Sequence, residues 1–263
     1  MINPHNHGPW AVITGASAGL GEEFARQLAP LGLNLFLVAR RMDRLETLAE
    51  ELRRARGIDA RCLALDLSQP GSDETLDQAT SGLDVGLFVD NAGFGFLGRF
   101  LEQERGRLAQ MVDLNCRATM LLAHRFGNRF AKRGRGGLII VASLAGFQAT
   151  PWMACYGATK GFDLLLGEGI ADEMRGMGVD VLVLNPGSTS TEFGQVAGSR
   201  GAHAGMRADV VVTAALRALG RTNSVVTGFH NKIVTLLIRL FPRSFVTRMS
   251  GVTLRKMLPR KPR

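Results

Sequence analysis

Acidic residues stop at Asp209. Beyond it the 263-residue chain has eleven Lys/Arg and no carboxylate side chain, although its totals are 32 basic and 23 acidic. Residues 1–209 therefore hold 21 basic and 23 acidic groups, a net of −2, and the overall +9 belongs to the C-terminal segment alone. A nucleic-acid-binding domain spreads its basic charge over a face of the fold, so nucleic acid is not the partner expected here. Only three cysteines occur (Cys62, Cys116 and Cys155). Scattered and odd in number, they form neither a disulfide framework nor a metal-ligand spacing. No metal is expected, and reduced thiols suit a cytoplasmic chain. No stretch reaches the roughly 18 uninterrupted apolar residues of a membrane-spanning helix. The opening MINPHNHGPW has neither the basic nor the apolar region of a secretory signal. Short-period repeats and low-complexity linkers are absent as well. Tyrosine is reduced to one residue, Tyr156.

What is present suits a packed α/β chain. A hydrophobic content of 46% with 21% charged residues builds a substantial core. Short apolar runs alternate with amphipathic stretches, the pattern of a doubly wound parallel sheet. Strands are expected at Ala11–Thr14, Asn34–Ala39, Ala60–Leu65, Val85–Val89, Leu138–Ala142 and Val179–Leu184, with a seventh at Val225–Thr227. NLFLVA is apolar almost throughout, as a strand covered on both faces should be. Helices are expected at Leu20–Ala29, Met42–Arg56, Glu104–Lys132 and Tyr156–Met174. No composition break precedes about residue 230, so residues 1–230 form one domain and 231–263 a basic tail.

TGASAGLG (residues 14–21) lies between the first strand and the first helix. A helix N-terminus with free N–H groups suits a pyrophosphate, and glycines at 15, 19 and 21 permit a tight turn. Such turns also connect strands to helices with no ligand; here the alternating pattern around the turn favours a nucleotide and a Rossmann fold. The second strand runs into Ala39-Arg40-Arg41 with no carboxylate before Asp43. An NAD-selective site places an acid near this point, whereas arginine accepts a 2′-phosphate. NADP(H) is therefore expected, the alternative being a solvated basic helix face.

The Gly-x-x-x-Gly-x-Gly spacing resembles the glycine motif of the short-chain dehydrogenases/reductases of about 250 residues. Further stretches follow in the family's order. Asp66-Leu67 looks like the pair that contacts adenine. Asn91-Ala92-Gly93 is similar to the family's Asn-Ala-Gly beside the adenosine ribose, with Asp90 where an asparagine is usual. The run from Pro186 and Gly187 through Ser188 and Thr189 to Thr191 matches the segment that holds the nicotinamide carboxamide. The resemblance implies cofactor contacts from Gly15, Ser17, Gly19, Leu20, Gly21, Arg40 and Arg41, and from these later residues.

Tyr156 and Lys160, four apart, share a helix face. A phenol near pKa 10 is a poor acid–base group at neutral pH, and a neighbouring ammonium favours the phenolate. By itself such a pair is commonly surface decoration. The resemblance adds Ser143, thirteen residues earlier, which in the family hydrogen-bonds the substrate oxygen. It also adds Asn115, which holds a water in a proton relay to the lysine. The reaction implied is hydride exchange between the nicotinamide and a carbonyl or secondary-alcohol carbon. Tyr156 is then acid/base, Lys160 binds ribose, and the active helices form homodimers or homotetramers. A non-catalytic nucleotide-binding scaffold of the same fold is the alternative.

Phe94, Phe96, Leu97, Leu144, Phe147, Trp152 and Met153 flank these groups, so a small apolar carbonyl/alcohol substrate (lipid-, steroid- or ketone-like) is expected. Arg99 is the one candidate clamp for an anion. Residues 192–208 are Gly-, Ala- and Ser-rich and read as a substrate loop. The tail keeps apolar residues at helical spacing among arginines. It suits a pocket lid, a subunit contact or a peripheral membrane surface.

Overall fold

The computed structural model describes residues 2, 4–198 and 205–258. A single turn α1 (Pro4–His7) leads into β1 (Trp10–Thr14), α2 (Gly19–Leu28), β2 (Asn34–Ala39), α3 (Met42–Arg56) and β3 (Ala60–Ala64). Then come α4 (Ser72–Ala79), β4 (Val85–Asp90), α5 (Arg105–Val112), α6 (Thr119–Arg133) and β5 (Gly136–Val141). The rest is α7 (Ala154–Glu173), β6 (Val179–Asn185), α8 (Glu192–Val196), α9 (Ala208–Ala218), β7 (Ser224–Val226), α10 (Phe229–Ile238) and α11 (Arg243–Arg255). All seven strands are parallel, in the order β3-β2-β1-β4-β5-β6-β7. The expected single-domain, doubly wound α/β fold is the one observed.

Successive strand residues point to opposite faces, and here both faces are apolar. Ala11, Ile13, Leu35, Leu37, Leu87 and Val89 pack under Phe24 and Leu28 of α2, Leu45 and Leu48 of α3, and Val211 of α9. Trp10, Val12, Phe36, Val38, Phe88 and Ile140 meet Leu76 of α4, Phe126 and Phe130 of α6, and Ala171 of α7. Phe88 and Phe126 stack with ring centroids 4.1 Å apart. Two full layers explain why the strands read as continuous apolar runs rather than alternating ones.

The strand order reverses at β1, and a doubly wound sheet opens its ligand crevice beyond the strand ends at that point. The TGASAGLG turn, Asp90 and Val141 all stand there.

The long helix expected over Glu104–Lys132 is broken. A π-helical segment, Asp113–Ala118, separates α5 from α6, and such wide turns cluster at functional sites. The sequence carries no Pro or Gly inside this segment, so nothing in its propensity betrays the irregularity. Residues 199–204 of the expected substrate loop and 259–263 of the basic tail lie outside the described residues. No described helix is long and apolar enough to cross a membrane.

Candidate active site

A cavity of about 850 Å³ runs along the strand ends from Arg41, past Tyr156, to Met257 on the C-terminal tail. At one end is the glycine turn. Gly15 has φ +66°, and a Cβ there would fall 2.7 Å from Asn91 Nδ2; only glycine takes that conformation without strain. The N-cap of α2, Ala18, provides no side-chain hydrogen bond. The first N–H groups of α2 thus remain open beside Gly19 and Leu20 on the cavity wall, the geometry that receives a phosphate.

Thr14 ties this turn to the next strand. Its hydroxyl donates to Asp90 Oδ1 (3.1 Å) and accepts from the N–H groups of Asn91 (2.9 Å) and Ala92 (3.0 Å). Asn91 in turn donates to the Thr14 carbonyl at 2.9 Å. Asp66 accepts from the Ser68 N–H and hydroxyl at 3.0 and 2.7 Å, and Leu67 lies beside it on the cavity wall. Arg40 and Arg41 line the same end. Arg41 donates to the Ser17 hydroxyl (3.1 Å), and both Arg41 (3.1 Å) and Arg44 (2.6 Å) hold Glu192 at the start of α8. Glu192 therefore joins the start of α8 to the arginine-lined end of the cavity. Arg44, one turn beyond Arg41, and Glu192, the first residue of the expected substrate loop, lie 148 positions apart, so their pairing was not expected from the sequence.

The catalytic candidates converge at the middle of the cavity. Ser143 begins a 3₁₀ turn (Leu144–Phe147) and accepts from the Ala145 N–H at 3.2 Å. Tyr156 is 8% exposed and lies against Phe193 with ring centroids 5.3 Å apart. Lys160 is buried, donating to the Val141 carbonyl (2.7 Å) and to Asp163 Oδ2 (2.9 Å). Of the expected residues, Ser143, Tyr156 and Lys160 line the cavity together with Pro186, Gly187, Thr189, Thr191, Ala92 and Gly93.

The remaining expected residues have the following surroundings. Gly21 does not reach the cavity wall among the described residues; it packs against the Gly15 carbonyl and Asn91, so its role is to close the turn. Asn115, wholly buried in the π segment, spends both amide hydrogens on the Phe94 carbonyl (2.9 Å) and Thr159 (3.0 Å), while its oxygen accepts from the Phe94 N–H (3.2 Å). Its side chain thereby ties the loop after β4 to Thr159 on α7. Phe94, Leu97, Leu144 and Met153 do line the cavity, but Phe96, Phe147 and Trp152 do not. Phe96 is covered by Arg107, Phe147 packs on Ala142 and Leu164, and Trp152 donates to the Gly251 carbonyl at 3.2 Å. Arg99 is exposed, lies near Glu102 and the Trp152 ring, and is not on the cavity wall.

The tyrosine's electrostatics also differ from the simple pairing. Burial pushes the Tyr156 phenol up, and this outweighs the downward pull of Lys160 and of the Ser143 hydrogen bond. Desolvation pulls the Lys160 ammonium down, but Asp163, with Tyr156 and Asp90, raises it above the ordinary lysine value.

Residues 9–200 match the short chain dehydrogenase family. A 7beta-hydroxysteroid dehydrogenase of Collinsella aerofaciens is 34% identical over 232 residues, 86% of this chain and 88% of that protein. A very-long-chain 3-oxoacyl-CoA reductase of Podospora anserina is 39% identical over 179 residues, 66% of this chain but only 53% of the reductase. In a solved structure concerned with 7beta-hydroxysteroid dehydrogenase stereoselectivity, 99% of the chain aligns with 95% of this one at 30% identity and a TM-score of 0.88. A short-chain dehydrogenase from Sphingobium yanoikuyae in complex with NADPH aligns over 90% of this chain and 98% of its own, with a TM-score of 0.80 and 29% identity. The chain belongs to the short-chain dehydrogenase family.

Proposed function

We propose that this protein is an NADP(H)-dependent oxidoreductase that interconverts a bulky apolar carbonyl compound and its secondary alcohol, with Tyr156 as the acid–base group. One observation carries the reading: a single cavity joins the phosphate-suited turn at Gly15–Leu20 to the Tyr156 ring and on to an apolar chamber. The open α2 N-terminus and Arg41 beside Ser17 suit a dinucleotide with a 2′-phosphate. Arg40, Asp66, Leu67, Asn91, Ala92 and Gly93 would hold its adenosine half, and Pro186, Gly187, Thr189 and Thr191 its nicotinamide half. When bound, NADPH supplies the hydride. Ser143 orients the substrate oxygen, Tyr156 gives it a proton, and Lys160 holds ribose hydroxyls. A hydroxyl donor placed at the developing oxyanion stabilises charge that appears only in the transition state.

The chamber's far wall is the tail: Val234 and Ile238 of α10, then Val246, Met249 and Leu254 of α11. We read residues 231–258 as a lid on the substrate end. An apolar lid suits an apolar substrate, and a steroid- or acyl-like skeleton is supported by the relatives that act on such compounds. NADPH consumption, followed at 340 nm against a panel of bulky apolar ketones, is the test. Turnover of at least one member is expected. A protein that binds NADPH but consumes it with none of them would instead favour a non-catalytic nucleotide-binding scaffold, a reading weakened by the complete Ser143–Tyr156–Lys160 set.

The lid's outer side has its own character. Leu236 (63% exposed), Leu240 (71%) and Phe245 (49%) stand among exposed Arg239, Arg243 and Arg248. This surface suits peripheral contact with anionic lipid by a chain that the three free cysteines suit to the cytoplasm. Each basic residue near such a membrane contributes about 1 kcal/mol. Arg239→Glu with Arg243→Glu should therefore weaken binding to phosphatidylserine vesicles at least tenfold, roughly. Equal co-sedimentation of variant and wild type would remove the membrane reading. Leu165 on α7 is 72% exposed beside the buried catalytic face of that helix, which suits a homodimer or homotetramer through the active helices. Light scattering that finds a monomer would exclude it.

A further inference from the structure

The end of β2 carries no acid, yet the fold brings one to it. Glu192, the first residue of α8, reaches two arginines that follow β2. Its Oε1 accepts from Arg44 Nη1 at 2.6 Å and its Oε2 from Arg41 Nη1 at 3.1 Å. Each carboxylate oxygen thus holds one guanidinium, as two oxygens of a phosphate would. Arg41 turns its other edge to the glycine turn, where Nη2 donates to the Ser17 hydroxyl at 3.1 Å and Nε at 3.2 Å. The neighbouring Thr191 rests on the same turn: a Cβ on Gly19 would fall 3.1 Å from Thr191 Cβ. Ser17, Gly19, Arg40, Arg41, Thr191 and Glu192 all line the cavity.

These contacts are placed to exchange rather than to hold the fold. The side chains of Arg41, Arg44 and Glu192 are 42%, 45% and 42% exposed, and ion pairs this open contribute little to stability. Glu192 is nevertheless ionised through the neutral range, because Arg44 and then Arg41 hold its carboxyl below the usual value. The other charges around the pair are Arg40 on the same wall, and Asp43 and Glu22, whose fields reach Arg44. An NAD-selective site uses a carboxylate near this strand end to accept from the ribose 2′-hydroxyl, whereas a 2′-phosphate is met by arginine. Both kinds of group meet here, from elements 148 positions apart in the chain. The arginines cannot stay fully paired with the carboxylate and also receive a phosphate that carries nearly two negative charges.

We propose that Glu192 is a specificity-determining residue for the cofactor: its carboxylate occupies the Arg41–Arg44 pair until the 2′-phosphate of NADP(H) displaces it, and it stays to accept from the ribose 2′-hydroxyl when the dinucleotide is NAD(H). This rests on the reading of Arg41 and Ser17 as the 2′-phosphate end. Glu192 thereby narrows the preference for NADP(H) that the arginines alone would give. A residue that only strapped α8 across the cavity would act on both dinucleotides alike, because they differ in that one phosphate.

Glu192→Gln keeps the length of the side chain and one acceptor oxygen while removing the charge. Kd values for NADPH and NADH, read from the fluorescence of the reduced nicotinamide on binding, need no substrate and no turnover. The variant should bind NADPH about three- to tenfold more tightly than the wild type, the range expected for two exposed ion pairs lost, and NADH no more tightly. Added salt should shrink the gain, since open charges are screened. A ratio of the two Kd values that is unchanged or narrowed overturns the proposal; equal weakening of both dinucleotides would make Glu192 a strap on α8. Arg41→Ala separates the proposal from the reading on which it rests. That variant should weaken NADPH roughly tenfold or more and NADH much less. If it does so while Glu192→Gln leaves the ratio unmoved, only the role of Glu192 falls. If it leaves NADPH binding intact, Arg41 does not read the phosphate and both fall.

Discussion

Tyr156→Phe is expected to lower turnover by about 10²- to 10⁴-fold, the usual contribution of a positioned general acid, while NADPH still binds. The substitution removes one oxygen. Phenylalanine keeps the ring against Phe193, where the centroids are 5.3 Å apart, and keeps the packing under Gly95. It leaves Lys160 on Val141 and Asp163, because neither of those hydrogen bonds involves the phenol. The loss should therefore appear in the chemical step. Cofactor affinity, set at the Gly15 turn and at Arg41, should hold. Fluorescence titration with NADPH measures the second quantity and steady-state kinetics the first. A variant whose turnover stays within about tenfold of the wild type would lie below the range of general acid catalysis and would remove Tyr156 from its assigned role.

Asp90→Asn should change stability in a strongly pH-dependent way. Asp90 is buried at the end of β4 and accepts from Thr14 at 3.1 Å, but its Oδ2 has no hydrogen-bond partner among the described residues. Burial and the nearby Asp163 push its carboxyl up to about 6, against the opposing pulls of Thr119, Lys160 and Thr14. An acid whose pKa rises on folding gives up its proton more readily when unfolded. Below the unfolded value of about 3.9 it costs the folded state nothing. As pH climbs through 6 the full penalty develops, about 3 kcal/mol for two pH units. Asparagine cannot ionise. Its advantage over Asp90 should accordingly be about 3 kcal/mol larger at pH 8 than at pH 3.5, whatever constant offset the amide brings. Urea unfolding of the cofactor-free protein at the two values measures the difference. A gain that is the same at both would mean that Asp90 titrates like an exposed carboxylate. This is the position where the family resemblance implies asparagine, so the departure has a physical consequence even though the turn it caps is intact.

Much of the site was legible because its motifs are local. The TGASAGLG turn sits where a strand hands over to a helix, and three glycines in eight residues leave few other conformations. Tyr156 and Lys160 share a face simply because a helix repeats every 3.6 residues. The strands could be read because a sheet covered on both sides makes every position apolar, as in NLFLVA. Less legible were features that depend on which elements become neighbours. The π segment around Asn115 has an ordinary helical composition. Phe96, Phe147 and Trp152 are as apolar as Phe94 and Met153, and composition cannot say which of them turn toward the cavity.

By itself, then, the amino-acid sequence determined the parallel sheet, the nucleotide turn, the Ser143–Tyr156–Lys160 set and the basic, amphipathic tail. The sheet, the turn and the tail follow from periodicity, backbone freedom and composition within one or two elements; the Ser143–Tyr156–Lys160 set is what the family resemblance implies. Tertiary structure alone decided the rest: that Glu192 bridges Arg41 and Arg44, that the tail's inner face lines the cavity, and that Asp90 and Asp163 flank one lysine. The strand order places β4 beside β1 and β5 although some 70 and 50 residues separate them in the chain. The field at Tyr156 is a sum over charges brought together in that way. A sum over distances in space is not written in the order of residues along the chain.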